Sequence, residues 1–166
     1  ADTGFSPESK LYRPPAHFFR GSLGRFATGV AIVTFDAIDA EGAPKRQGIT
    51  VNSFTSVSMD PPLVLVSIQR TVKSHELLRA RPFTVNILGE HQQDVARVFA
   101  LHAKPEAGSL RGQPFTIGHT GAPVLQDCLA FVECRVAEVL EGGDHSIFIG
   151  EVVSQGIVND IAPLLF

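Results

Sequence analysis

Apolar positions along this 166-residue chain recur mainly with a period of two, which predicts strands, and helical spacing interrupts them in only three places. The continuous run VAIVTF (30–35) predicts a buried strand, and LVLVSI (63–68) and PFTVNIL (82–88) predict two more. Two long strands, about 128–140 and 145–158, are expected to close the chain as a hairpin around Glu141-Gly142-Gly143-Asp144. Helices are predicted over roughly 16–28, where Phe18, Phe19, Leu23 and Phe26 share related faces and Gly29 is placed to stop the turn. A second is predicted from Ser74 to Arg81, cut off by Pro82. A third spans 90–103, with Val95, Val98, Phe99 and His102 along one face. Residues 36–45 read as a hairpin loop, and 105–127, rich in glycine and proline, as a long loop. Residues 1–15 read as an N-terminal arm before a single domain over 16–166. Strands that follow one another through turns, with no alternating helices, predict a mostly β fold. The expected form is a small, mostly antiparallel β-barrel with a few peripheral helices, since closure removes exposed edges.

One segment departs from this alternation. GITVNSFTSVSMDPPL (48–63) reads as a long strand ended by the Asp60-Pro61-Pro62 turn, yet Thr50, Asn52, Ser53, Thr55, Ser56 and Ser58 fill most of its polar places. Short hydroxyl and amide groups let a ligand approach the backbone and can each donate or accept a hydrogen bond. A solvated edge strand is the competing explanation. Directly after the next strand, Ser67-Ile68-Gln69-Arg70-Thr71-Val72-Lys73-Ser74 crosses a loop with two cations and opens a helix at Ser74. That arrangement is either an ordinary cap or an anion site. Taken together, the two segments suggest one ligand, with a flat head at Thr50–Ser53 and a phosphate at Lys73-Ser74. His145, at the mouth of the last hairpin, is either an exposed turn residue or a group that stacks on a ring or bonds a substrate carbonyl.

Composition narrows the classes. A net charge of −3 argues against a nucleic-acid-tracking surface, and no apolar run approaches the length of a membrane span. The first ten residues lack the pattern of a secretion signal. Cys128 and Cys134 fall in one predicted strand at roughly 20 Å separation, too far for a disulfide, and are expected to be buried thiols. A cytoplasmic protein is the resulting expectation. The histidines show no metal-ligand spacing, no GxGxxG follows a strand, and no GxSxG elbow exists, so neither a metal centre, a Rossmann site nor a hydrolase triad is expected.

Taken together, FRGSLGRFATGVAIVT (19–34), GITVNSFTSVSMDPPLVLVSI (48–68), KSHELL (73–78), FTVNIL (83–88), GGDHSIFIGEV (142–152) and the PLLF end (163–166) resemble the short-chain flavin reductases, the reductase partners of two-component flavin-dependent monooxygenases. The resemblance implies an antiparallel, Greek-key-like split β-barrel that binds FMN or FAD. It implies a homodimer with the flavin near the subunit interface. The implied activity is hydride transfer from NADH or NADPH to the flavin, supplying reduced flavin to a partner monooxygenase, by docking or by diffusion alone. Carried over by position, Gln47, Gly48, Ile49 and Thr50 lie along the isoalloxazine, and Asn52 and Ser53 bond its edge or the ribityl chain. Ser67, Ile68 and Gln69 flank ribityl and phosphate, Lys73 and Ser74 hold the phosphate, Val98 and Phe99 reach the same ligand, and His145 faces the flavin at the nicotinamide entrance. Relatives commonly continue past PLLF with a segment containing glycine and tyrosine, which is not present in this sequence. Two alternatives stand beside this reading: a pyridoxamine-phosphate-oxidase-like flavoprotein with permanent FMN, and a non-enzymatic flavin-binding module.

Overall fold

The computed structural model describes residues 15–38, 41–72, 74–101 and 108–166. Among the described residues, nine strands and three α-helices run in the order α1 (Ala16–Leu23), β1 (Ala31–Ile38), β2 (Pro44–Val51), β3 (Thr55–Met59), β4 (Pro62–Gln69), α2 (Ser74–Leu78), β5 (Phe83–Ile87), α3 (Gln93–Ala100), β6 (Phe115–Ile117), β7 (Pro123–Leu125), β8 (Ala130–Gly142) and β9 (His145–Ile157). The fold is mostly β, and every strand pair is antiparallel. Seven strands form one sheet in the order β2-β1-β5-β8-β9-β4-β3, with β6 and β7 as a separate hairpin.

That order dictates the shape. The edge strands β2 and β3 are consecutive in the chain, and only Asn52, Ser53 and Phe54 join them. Four residue steps reach at most about 14 Å, whereas seven flat strands would hold their edges roughly 29 Å apart. The sheet must therefore roll until its two edges approach. The predicted single strand over 48–63 is thus corrected: it breaks after Val51, and its halves take opposite edges. Ser53 explains the break, since its hydroxyl accepts from the Ser67 amide at 2.9 Å and lies 3.0 Å from the Ser67 carbonyl, occupying β4 where a strand neighbour would otherwise sit.

The rolled interior is filled by Ala31, Val33, Phe35, Val66, Ile68, Phe83, Val85 and Phe148, all buried. The other face of β1 turns Ile32 into a second core with Val30, Leu88, Phe99, Leu110 and Leu125, beneath α3. Burial on both faces is the reason VAIVTF lacks alternation. Asn86 fastens the β6–β7 hairpin over this face, accepting the Leu125 amide at 2.8 Å and donating to the Ile32 carbonyl at 2.9 Å. That hairpin corrects the expected loop over 105–127. Glu133, 1% exposed, anchors the hairpin's turn by accepting the amides of His119 and Thr120 at 3.1 and 2.9 Å and the Thr120 hydroxyl at 2.9 Å. Burial opposes its charge, but these donors and the Ser154 hydroxyl prevail and hold the carboxyl below its usual range.

The first helix is shorter than its pattern predicts: it ends at Leu23, with Gly24 as its C-cap, and none of its residues is buried. Gly21 and Gly24 deprive the segment of helix propensity where the predicted second half would begin. Gly29 instead bridges to Leu165. The third helix opens as a 3-10 turn over Glu90–Gln92 and is α-helical only from Gln93; His102 lies outside the described residues. Cys128 precedes β8 rather than sitting in it, and both cysteines are buried and unpaired. Among the described residues, no helix is long and apolar enough to cross a membrane.

Candidate functional site

Among the described residues, rolling the sheet leaves one long side of β2 without a strand partner, and there a cleft of about 710 Å³ opens between β2 and the end of β4. That volume suits a small-molecule ligand, whose pockets span roughly 300–1,000 Å³. An edge strand also offers unpaired backbone N–H and C=O groups to a ligand lying along it.

The cleft gathers the residues that the sequence singled out. Gln47, Gly48, Ile49, Thr50, Asn52 and Ser53 line it from β2 and the crossing, Ser67, Ile68 and Gln69 from β4, Ser74 from α2, Phe99 from α3 and His145 from β9. Val98 does not line it; this side chain packs against the second core. Lys73 lies outside the described residues. Ser74 is the first residue of a five-residue helix rather than its cap, and its hydroxyl lies 3.4 Å from Gln47 Oε1, to which it donates.

Several hydroxyls expected to face a ligand are already engaged. Thr50 donates to the Ala96 carbonyl at 2.7 Å, tying β2 to α3, and Ser53 is bound to the Ser67 backbone. Both retain acceptor capacity only. Asn52 is exposed and has no hydrogen bond among the described residues. Gly48 has a specific steric reason: a Cβ there would overlap the ring edge of Phe99, so the strand and α3 meet only because position 48 is bare.

His145 opens β9 opposite Gln69, after a two-residue turn in which Gly143 has φ of 73°. Its Nδ1 is 2.7 Å from Asp144 Oδ1. That hydrogen bond and the imidazole's charge hold the Asp144 carboxyl below its usual range. With Nδ1–H donated to Asp144, the neutral ring presents Nε2 as an acceptor, and the protonated ring presents it as a donor.

The lining also includes residues that sequence reasoning did not single out: Lys45, Val51, Leu77, Ala100, Leu101 and Arg111. Arg111 comes from the segment after α3: its Nη1 donates to the Val98 carbonyl at 2.7 Å and to the Leu101 carbonyl at 2.5 Å, and its guanidinium lies 5.6 Å from the centre of the Phe99 ring. Partial burial lowers its pKa from the usual arginine value. Among the described residues, no cluster of three or more His, Cys, Asp or Glu side chains could hold a metal ion.

A flat heteroaromatic ring with a phosphate-bearing tail fits this donor set. The free strand edge and Gln47 could meet such a ring's polar rim, Ile49 and Phe99 supply apolar surface, and Ser74, whose hydroxyl donates to Gln47, stands where a phosphate would be held in such a fit. The chain is 41% identical over 147 residues to a probable flavin reductase of Rhizobium meliloti strain 1021, covering 88% of this chain and 44% of that protein, so it spans less than half of that relative's length. It is 40% identical over 137 residues to the reductase component of a Rhodococcus opacus 4-nitrophenol 4-monooxygenase/4-nitrocatechol 2-monooxygenase, covering 81% of this chain and 69% of that one. Its fold matches the Streptomyces globisporus C-1027 NADH:FAD oxidoreductase SgcE6, solved in complex with NAD and FAD fragments, with a TM-score of 0.81 and 34% identity over 95% of this chain and 92% of that one. The sequence profile of the flavin reductase like domain matches residues 23–166, and the chain belongs to that family.

Proposed function

We propose that the protein is an NAD(P)H:flavin oxidoreductase that reduces FMN or FAD and releases the reduced flavin to a partner monooxygenase. The observation that carries this reading is the cleft itself: a free strand edge, a hydroxyl-bearing tail end at Ser74 and an imidazole at the rim meet in one cavity of about 710 Å³. In this reading the rolled sheet is a split β-barrel, formed by one domain over 16–166 after an N-terminal arm, and the cleft is its split.

When bound, the flavin supplies the ring nitrogen that accepts a hydride from the nicotinamide. The residues of this chain have the task of holding the two rings face to face. Gln47–Thr50 lie along the isoalloxazine, while Asn52 and Ser53 meet its edge or the ribityl chain. Ser67, Ile68 and Gln69 flank the tail, Ser74 and Lys73 hold its phosphate, and Phe99, with Val98 behind it, backs the ring through Gly48. His145, its Nδ1 fixed by Asp144, is the catalytic group that would orient the nicotinamide at the rim. Hydride transfer needs no strong acid or base, and positioning at about 3–3.5 Å is the main contribution the site can make.

A flavin handed on to another enzyme must leave. Affinity near the micromolar level, about 8 kcal/mol, permits that, whereas much tighter binding slows release. A homodimer is part of the proposal, supported by the exposed side chains of Phe18, Phe19, Leu23 and Phe26 and by Phe166, whose amide bonds Thr28 beside them. A cytoplasmic setting is proposed as well, in keeping with two buried, unpaired thiols. The test is steady-state oxidation of NADH and NADPH with FMN and FAD as acceptors. Many turnovers per protein molecule are expected with at least one pair, and absence of oxidation with every pair refutes the activity.

A further inference from the structure

His145 enters the cleft from the first residue of β9, directly after the two-residue turn Gly143-Asp144. Its side chain is 41% exposed, so packing alone does little to hold it. The bond from Nδ1 to Asp144 fixes the ring relative to the turn, but Asp144 moves with that turn and is itself 81% exposed. What aims the ring at the cleft must therefore come from outside the hairpin.

Arg70, the residue after β4, makes two contacts of that kind. Its amide donates to the Asp144 carbonyl at 3.0 Å, and its Nη2 lies 3.1 Å from Glu141 Oε1. In the sheet β9 runs between β4 and β8, with Gln69 opposite His145 and His145 opposite Gly142. The ion pair therefore spans the first residues of β9, and the two contacts together grip both arms of the hairpin. The anchor is firm. Beyond Arg70 the chain folds back through two tight turns, the Val72 amide donating to the Gln69 carbonyl at 3.2 Å and the His75 amide to the Val72 carbonyl at 2.9 Å. His75, 2% exposed, then packs its ring edge-on against Phe148 in the interior. Arg70 does not line the cleft, so it reaches the reaction only through the turn.

We propose that Arg70 is a positioning residue for hydride transfer, holding the β8–β9 turn through Glu141 so that His145 stays aimed into the cleft. This rests on the reading of His145 as the group that orients the nicotinamide. Hydride transfer depends steeply on how the two rings are placed, so a turn released from Arg70 slows reduction without touching the flavin. The test is stopped-flow reduction of the bound flavin, FMN or FAD, by saturating NADH. It compares wild type with Arg70→Ala, Arg70→Lys, Glu141→Ala, His145→Ala and the Arg70→Ala/His145→Ala double variant. Flavin dissociation constants are measured for each by fluorescence titration.

Arg70→Ala and Glu141→Ala are each expected to slow reduction about fivefold, or ~1 kcal/mol, the upper end for an exposed ion pair. Flavin affinity should hold within twofold in both. Glu141 is 88% exposed, so its removal tests the idea even if Arg70→Ala disturbs the loop after β4. Arg70→Lys keeps a charge that can make the single contact, and should recover most of the rate. In the His145→Ala background, Arg70→Ala should cost less than twofold, because the group it serves is already gone. A loss below twofold in the single Arg70→Ala variant overturns the proposal. So does flavin affinity falling in step with the rate, a lysine no better than alanine, or an equal loss with and without His145. An unchanged rate in His145→Ala defeats the reading of the imidazole and this inference with it, whereas a wild type that reduces neither flavin defeats the proposed activity itself.

Discussion

Replacing Gly48 with alanine tests whether the strand edge and α3 are held together as described. An added Cβ would overlap Phe99 Cδ1 and Cε1 and lie 3.3 Å from its Cγ. The ring has little freedom to withdraw, because Phe99 is 4% exposed and packed among Val30, Ile32, Leu88, Leu110 and Leu125. Overpacking of this kind costs about 1–3 kcal/mol. In a domain of this size each kcal/mol lowers Tm by about 2–4 °C, so thermal unfolding followed by circular dichroism is expected to shift down by roughly 3–10 °C. Flavin affinity is expected to fall as well, since Phe99 and Gly48 both line the cleft. The Phe99→Leu background supplies the control. Leucine lacks the colliding ring edge, so Gly48→Ala should cost less than about 0.5 kcal/mol there, and the double-mutant cycle should return a coupling of about 1 kcal/mol or more. A Tm within about 1 °C of wild type, or an equal loss in both backgrounds, would refute the steric reasoning.

His145→Ala should slow NADH-dependent flavin reduction more than it weakens flavin binding; an unchanged rate at saturating NADH removes the imidazole from the mechanism. Glu133→Gln should lower stability by about 1–3 kcal/mol, because an amide cannot accept all the donors that converge there. The folded carboxyl titrates below its ordinary value, so its contribution is complete above the unfolded pKa of about 4.3 and disappears as pH falls through the folded value. Wild type should therefore lose Tm on acidification more steeply than Glu133→Gln, and parallel curves would contradict this. Burial pushes the thiols of Cys128 and Cys134 up to about 11 and about 12. Neither should react with a disulfide reagent at pH 8 until denaturant exposes both, and prompt labelling of the native protein would count against their burial.

Strands with clean patterns were readable from the sequence: β1, β4, β5 and the β8–β9 hairpin lie close to where apolar periodicity predicts them. The break between β2 and β3 was not, because hydroxyl-rich residues suit a strand equally well on either side of Asn52. What divides them is a tertiary bond from Ser53 to the Ser67 backbone. The β6–β7 hairpin has three-residue strands, too short for any period, and is held by Asn86 from a distant strand. For the cleft, residues on one edge strand and on the loop after β4 stood out by their chemistry. Arg111 did not, because nothing in a glycine-rich segment signals that its guanidinium will cap α3 and reach Phe99. Val98 was expected at the ligand only from the family resemblance; it does not line the cleft and packs, half-buried, against the second core, of which Phe99 is itself a buried member.

The central claim is that flavin lies along the free edge of β2. A crystal structure of the protein grown with FMN or FAD tests it most directly. Density for the ring beside Gln47–Ser53, with the nearest phosphate within hydrogen-bonding distance of Ser74, is the predicted result. Flavin bound elsewhere with this cleft filled by solvent would contradict it.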